Sequence, residues 1–476
     1  MNPKICPVVL CGGVGKRLWP VSRQTYPKQF SKFLGQNSLF QNTVTRFNDP
    51  RFEPPLILTS NEYRFIIGEQ LNQTEINNSG IIIEPIPRDT APAILAAALQ
   101  LNKKFGNSIM LVLPSDHSIG NEDELISLIC NNGSFAKAGE IVSIGIKPDR
   151  SETGYGWIEP SDTRYKNSNL FRVKQFYEKP ELDKAEYFYN KGKFLWNSGI
   201  YLFSTETIIE AFKKYSPKLL KYVSGAVENS TIDLDFIRLD EKNWNCIEPI
   251  SIDYALMEKV PNMLVVPYEF GWDDLGDWNA VWRKNEKDQN GISSSGNVFS
   301  SNCKNSYLRT ENANQILVAL GCEDLVVVST PDAVLVTKTD QAQDVKNVVD
   351  QLELAGYTQS WQNLVENRYW GKAETLLNEE KVQINRLEIN PGKNIVLQRH
   401  SFRSEHWIVL KGIANITLEN KEFILNENQS LDVPMGTKHS LSNMTDEPLI
   451  IVEVKTGTQV DMNDTERFEN KHSFEN

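Results

Sequence analysis

Residues 10–23 read LCGGVGKRLWPVSR. Gly12, Gly13 and Gly15 follow a short apolar run, and glycines at a strand end let backbone N–H groups approach a phosphate closely. Lys16 and Arg17 add positive charge there, and Lys28 follows in YPKQF. Position 18 is leucine, so the third glycine of GxGxxG is missing, and no GK[ST] triplet occurs, which removes a Walker-type P-loop. Further on, LVLPSDHS sets Asp116 just past a buried run, a place that suits a metal ligand or, equally, a helix cap. EFGWDDLGDW carries Asp273, Asp274 and Asp277 among aromatics. Asp116 with one of these carboxylates can hold Mg²⁺, which takes a few carboxylates together with phosphate oxygens. FYEKP brings Glu178 and Lys179 to a strand end, where a lysine is either a surface charge or the neutraliser of a sugar phosphate.

The five histidines are unevenly placed: His400 and His406 share the stretch LQRHSFRSEHW, and His439 follows in VPMGTKHSLSN. Read as two short strands joined by a turn, the first stretch points Gln398 and His400 to one side. Glu405 returns to that side from the partner strand, while His406 points away. One amide, two imidazoles and a carboxylate can then converge on a divalent metal with positions left for water or substrate. The plain alternative is a set of partly exposed polar strand residues.

These groups need elements to hold them. From residue 5 to about 150, the apolar runs KICPVVLC, PLILTS, IIIEP, IMLVLPSDH and EIVSIGI alternate with helical spacings in SLFQNTVTRF, NEYRFIIGEQL and TAPAILAAALQLNKKF. Such alternation predicts an α/β fold, a mostly parallel sheet with helices on both faces and ligands at the carboxyl ends of its strands. Residues from about 150 to 285 are mixed and aromatic-rich. Short β segments then occupy 290–340, and DQAQDVKNVVDQLELAG reads as a helix before a polar link near 355–366. Strands and turns run almost to the end, which predicts a separate β domain. The expected division is 1–285, a β-rich linking region 286–360, and 361–476. No repeat of fixed period stands out.

Composition removes several function classes. With 40% hydrophobic and 24% charged residues the chain has an ordinary globular composition. A net charge of −12 without a basic stretch argues against nucleic acid as a partner. No run of eighteen apolar residues occurs, so no membrane span is expected, and the N-terminus lacks the apolar region and cleavage site of a signal peptide. A cytoplasmic location is the expectation. The six cysteines show no metal-ligand spacing and read as reduced thiols.

Taken in order, LCGGVGKRLWP, YPKQF, EPIPRDTAPA, PSDH, TGYGWIEP, FYEKP, WNSGIY, SIDYALMEK and GWDDLGDW resemble the sugar-phosphate nucleotidyltransferases, specifically the mannose-1-phosphate guanylyltransferases. The resemblance implies a Rossmann-like mixed sheet and the reaction of GTP with mannose 1-phosphate to give GDP-mannose and pyrophosphate. It further implies that Gly12, Gly13, Gly15 and Arg17 cradle the triphosphate, with Lys28 near the reacting phosphates. Asp116 and Asp274 would hold Mg²⁺. Gly154, Glu178, Lys179 and Asn197 would face the mannose phosphate, and the segment from Glu84 to Ala91, with Arg88 and Thr90, the guanine. The family has serine and threonine where this chain has Val14 and Lys16, and Gly-Arg-Asn-Thr-Ala where it has Pro87-Arg88-Asp89-Thr90-Ala91.

The spacing G-x5-Q-x-H-x4-E-x6-G from Gly392 to Gly412, with P-x-G-x2-H-x3-N from Pro434 to Asn443, resembles the two cupin motifs. The end of the chain, from RYWGKAETL to ERFENK, resembles the cupin domain of bifunctional type II phosphomannose isomerases. That likeness implies a C-terminal cupin β-barrel that interconverts mannose 6-phosphate and fructose 6-phosphate. Gln398, His400, Glu405 and His439 would bind Zn²⁺ or Co²⁺, and Arg403 would serve catalysis. It also implies a homodimer. The family reads Gln-Met-His-His-His-Arg-Ala-Glu-His where this chain has Ser401 and Phe402 in place of two histidines. Two alternatives stand beside this reading. One is a transferase whose cupin is a non-catalytic module for dimerisation or sugar sensing. The other is a transferase of different base preference.

Overall fold

The computed structural model describes residues 4–468; the last residues of ERFENK lie outside them. The chain divides into two compact units, residues up to Ser360 and residues from Trp361, with Phe65–Glu69 counted in the second.

The first unit is built on an eleven-stranded mixed sheet. Its strands are β1 (Ile5–Cys11), β2 (Leu56–Ser60), β3 (Gly80–Glu84), β4 (Ile109–Pro114), β5 (Ile141–Ile146), β6 (Trp157–Arg164), β7 (Phe171–Tyr177), β8 (Leu195–Ser204), β9 (Thr231–Asp233), β10 (Phe236–Arg238) and β11 (Met263–Tyr268). Their order is β9-β10-β3-β2-β1-β4-β8-β5-β11-β7-β6. Strands β3, β2, β1 and β4 are parallel, and β8 runs antiparallel between β4 and β5. The near-continuous apolar runs of β1 and β4 are buried almost throughout, as in sheets covered on both faces. Helix α1 (Thr90–Phe105) shows why: its alanines 91, 93, 96, 97 and 98 are buried and let the backbone lie close in the core. The carboxyl ends of β1, β3 and β4 open on one edge, where loops carry the glycines, Glu84–Asp89 and Asp116.

Residues 286–360 are part of this first unit. Ser293–Ser295, Tyr307–Thr310 and Leu325–Ser329 stack in parallel, as do Val298–Ser301 and Leu317–Leu320, making a short coil of strands around Ile292, Cys303, Leu308 and Ala319. The coil is anchored from outside. Trp278, at the start of helix α2 (Trp278–Lys284), stacks on Tyr307 at 5.6 Å, and Arg23 forms a two-pronged pair with Asp332 at 2.6 Å. The helix expected in DQAQDVKNVVDQLELAG is α3 (Val345–Leu354).

In the second unit two sheets face one another as a β-barrel. Strands β12 (Val382–Ile389), β14 (Arg403–Lys411), β15 (Ser430–Val433) and β17 (Leu449–Gly457) lie in a six-stranded sheet, ordered β12-β17-β14-β15. Strands β13 (Asn394–Arg399) and β16 (His439–Ser442) are neighbours in the five-stranded sheet. Alternate residues of β14 and β17 are buried, which turns Arg403, Glu405, Trp407 and Val409 inward.

Candidate active sites

At the glycine edge, Gly13 and Gly15 adopt φ of +86° and +68°, the left-handed region that glycine enters without strain. A Cβ on Gly15 would stand 2.9 Å from Lys28 Cγ, so the missing side chain lets Lys28 pass against the loop. Lys28 is buried, its Nζ 2.9 Å from Asp116 Oδ2 and donating to the Asp274 carbonyl oxygen at 2.6 Å. Burial alone would lower its pKa, but Asp116 and Asp274 outweigh this and raise it. Burial likewise pushes Asp116 upward, and Lys28 reverses that to a net lowering. Asp274 Oδ1 accepts from the Tyr155 hydroxyl at 2.6 Å and from Gly276 N–H at 3.0 Å. Of the other aspartates in GWDDLGDW, Asp273 accepts from Leu275 N–H and Asp277 caps α2 through Ala280 N–H. Two oxygen-donor carboxylates set about one cationic centre are chemistry that suits a hard divalent ion.

Arg17 is exposed and has no hydrogen-bond or ion-pair partner among the described residues. Lys16 is different. Its ammonium pairs with Asp350 and Glu353 of α3, both at 2.8 Å, so the expectation that it offers charge to a phosphate is corrected. Sequence reasoning also missed Tyr155, which lies in the quoted GYGWIEP. Its hydroxyl accepts from Arg150 Nη2 at 3.3 Å while donating to Asp274, and Arg150 stacks over Trp196 at 4.9 Å.

A second cluster lies around β8. Asn197 Nδ2 donates to Asp253 Oδ1 at 3.1 Å and to Tyr201 Oη at 2.9 Å, and the Tyr201 hydroxyl donates to Asp253 Oδ1 at 2.6 Å. Burial pushes the Asp253 carboxyl up to about 6. A Cβ on Gly156 would fall 2.9 Å from Glu178 Oε2 and 3.3 Å from Asn197 Cβ, so Glu178 and Asn197 share one wall. Lys179 is exposed and pairs with Glu178 at 3.2 Å. Gly154 donates its N–H to Glu152 Oε1 at 3.0 Å. Asp253 lies in SIDYALMEK, but no spacing marked it out, because it sits in a single wide helical turn, Asp253–Met257.

On the remaining side of the edge, burial pushes the Glu84 carboxyl up to about 8. Arg88 donates to the Asn245 carbonyl at 3.2 Å. Asp89, at φ +67°, caps α1 by accepting from Thr90 N–H at 2.7 Å. Thr90 Oγ1 accepts from Ile252 N–H at 2.9 Å, and the fully buried Ala91 donates its N–H to the Ile250 carbonyl at 3.1 Å. Thr90 and Ala91 therefore brace the loop that leads to Asp253.

The second unit holds the other site. His400, Glu405 and His439 are all buried, with ligand atoms within 4.8 Å of one another. They meet across the barrel: β13 and β14 belong to facing sheets, so Glu405 does not return from a paired strand. Gln398 lies opposite His439 in register, its amide nitrogen 3.5 Å from His439 Nε2. His406 points outward to Asp432 at 2.6 Å. His400 Nδ1 lies 2.8 Å from the Asp464 carbonyl oxygen, and His439 Nδ1 3.0 Å from that of Thr437. Carbonyl oxygens only accept, so both Nδ1 atoms carry a proton. Arg403 Nη2, which only donates, stands 3.2 Å from His400 Nε2 and marks a lone pair there. Burial lowers the His439 pKa, which favours its neutral form, with a second inward lone pair on Nε2. His400 Nε2 lies 3.1 Å and His439 Nε2 3.7 Å from the Glu405 carboxylate. Inward lone pairs beside a carboxylate repel unless a cation lies among them. Here Arg403 supplies that charge, its Nε donating to Glu405 Oε1 at 3.0 Å. The donor set fits a divalent metal, with both imidazoles oriented by backbone carbonyls. Ser401 and Phe402 have exposed side chains, and their N–H groups donate to the Asp464 carboxylate at 2.8 and 3.0 Å.

Residues 6–291 match the nucleotidyl transferase family, 296–352 the MannoseP isomerase/GMP-like beta-helix domain, and 358–470 the mannose-6-phosphate isomerase C-terminal family. The chain is 40% identical over 472 residues to the mannose-1-phosphate guanylyltransferase of Salmonella montevideo, covering 98% of this chain and 99% of that protein. It is 37% identical over 468 residues to the xanthan biosynthesis protein XanB of Xanthomonas campestris pv. campestris, with 98% and 99% covered. A crystal structure of a mannose-1-phosphate geranyltransferase from Thermus thermophilus superposes with a TM-score of 0.65 at 28% identity, over 74% of this chain and 99% of that one. The three matched families follow one another along a chain that its relatives match from end to end, and the chain belongs to the mannose-1-phosphate guanylyltransferase family, in the form that carries a C-terminal mannose-6-phosphate isomerase-type domain.

Proposed function

We propose that the first unit transfers a guanylyl group from GTP to mannose 1-phosphate, giving GDP-mannose and pyrophosphate. The observation that carries this is Lys28, buried against Gly15 and held between Asp116 and the Asp274 backbone. The sugar phosphate is itself the nucleophile, so the protein needs no covalent group; it aligns two phosphates and neutralises their charge. Gly12, Gly13 and Gly15 leave backbone N–H groups open to the triphosphate, exposed Arg17 reaches its oxygens, and Lys28 neutralises the α-phosphate. Asp116 and Asp274 would hold Mg²⁺, which when bound spreads the developing phosphate charge. Asn197, Glu178 and Asp253 orient the mannose hydroxyls, with Lys179 near its phosphate, and Glu84 and Arg88 face the base. Pyrophosphate release should be measured with mannose 1-phosphate and GTP, ATP, UTP or CTP in turn. GTP should exceed each of the others by at least about tenfold, and a clear preference for another base would overturn guanylyl transfer.

The second unit is read as a mannose 6-phosphate/fructose 6-phosphate isomerase. What supports it is the trio His400, Glu405 and His439, with Gln398 beside it, as a Zn²⁺ or Co²⁺ site. A bound ion would polarise the sugar's C1 and C2 oxygens. Arg403 lies at that centre, and Ser401 and Phe402 replace histidines only where side chains are exposed. The family resemblance further supports a homodimer.

A further inference from the structure

The inner wall of the second unit is layered. Across β12, β17 and β14, Gln383, Lys455 and Glu405 lie side by side; Asn385, Glu453 and Trp407 form the next row, and Leu387, Ile451 and Val409 the one beyond. The last row is wholly apolar and buried, so the barrel can close without charge. Lys455 nevertheless places an ammonium in the same row as Glu405, at 6% exposure. Its Nζ is 3.1 Å from Glu453 Oε2 and donates to Gln383 Oε1 at 3.3 Å. Glu453 in turn accepts from Asn385 Nδ2 at 2.9 Å. A buried ion pair of this kind is weak as a structural device, since apolar residues of similar volume often serve stability as well or better. An ammonium has three N–H groups, and these two partners leave one unassigned.

Charge points the same way. Among the described residues, the buried charges of this barrel are Arg403 and Lys455 against Glu405, Glu453 and Asp464. A divalent ion on His400, Glu405 and His439 would turn that net negative chamber net positive, which suits an anion. We propose that Lys455 is the cation that meets the sugar oxyanion in this chamber, held by Glu453 and Gln383 so that its ammonium neutralises the oxygen that becomes negative when the sugar's C2 proton is removed. This rests on the isomerase reading above. In that step the C2–H electron pair forms the C1=C2 bond and the C1=O pair moves onto O1. A general base takes and holds the C2 proton; O1 is then protonated by the O2 proton, the O2–H pair forms C2=O and the C1=C2 pair takes the held proton at C1, giving the 2-ketose with no redox partner.

The test uses full-length protein loaded with Co²⁺ and the variants Lys455→Met and Lys455→Arg. Three quantities are read: isomerase kcat, bound Co²⁺ by its visible spectrum, and calorimetric affinity for 5-phosphoarabinonate, whose carboxylate imitates the oxyanion. Lys455→Met should lose about 100-fold in kcat and at least tenfold in affinity for the analogue, with Co²⁺ binding unchanged. Lys455→Arg should recover part of both losses. Wild-type kcat and analogue affinity in Lys455→Met would overturn the proposal, as would a kcat loss fully matched by lost Co²⁺. If the wild-type protein binds Co²⁺ but neither isomerises mannose 6-phosphate nor binds the analogue, the isomerase reading itself falls and the role of Lys455 with it.

Discussion

Asp253 shows how burial tunes a single side chain in the first unit. Its carboxyl is pushed from an ordinary 3.8 up to about 6 by burial, against the pull of the Tyr201 and Asn197 hydrogen bonds. Between these values the native chain keeps a proton that the unfolded chain has released. Stability owed to this group therefore falls as pH rises from about 4 through about 6, by up to about 3 kcal/mol. Asp253→Asn should remove that slope: thermal unfolding compared at pH 4.5 and 7.5 should show a smaller loss in the variant, and an unchanged difference would refute the assignment. Residues of this kind are hard to see in sequence. Lys28, Asp116 and Asp274 stand in motifs whose glycines and strand ends announce them, whereas Asp253 and Tyr155 acquire meaning only from side chains far along the chain that burial brings against them. The bond from Ile252 N–H to Thr90 was equally out of sight, since a hydroxyl near a ligand edge looks the same whether it serves ligand or loop.

At the scale of elements, α3 and the β coil hold the segment that carries the glycine loop. Lys16 reaches Asp350 and Glu353, Trp19 Nε1 donates to the Gln359 carbonyl at 2.9 Å, and Arg309 donates to the Lys32 carbonyl at 2.7 Å. Partly exposed ion pairs contribute little singly. Lys16→Met should therefore leave transferase kcat/KM within about fivefold, whereas Arg17→Met should cost about 100-fold. Steady-state rates for both variants decide it, and equal losses would return Lys16 to the phosphates. The strands and helices themselves were legible: β1 to β5, α1 and α3 fall where apolar periodicity places them. The coil's stacking was not, because its turns are of unequal length and leave no fixed period. Nor was the pairing of β13 and β14, since a turn between two strands reads alike whether they share a sheet or face across a barrel.

For the molecule as a whole, the chain divides into two compact units, each with its own polar site, and the proposed reading assigns to them two chemistries of one sugar's phosphates. The family was legible because ordered motifs span nearly the whole chain, and the departures at Lys16, Asp89, Ser401 and Phe402 became interpretable only through their contacts and exposure. The Lys28–Asp116 centre should govern guanylyl transfer alone. The most direct measurement is GDP-mannose formation from GTP and mannose 1-phosphate by full-length Asp116→Asn. A loss of about 100-fold or more is expected, with GTP still bound and mannose 6-phosphate isomerisation equal to that of the unaltered protein. GDP-mannose formed at an undiminished rate would contradict it.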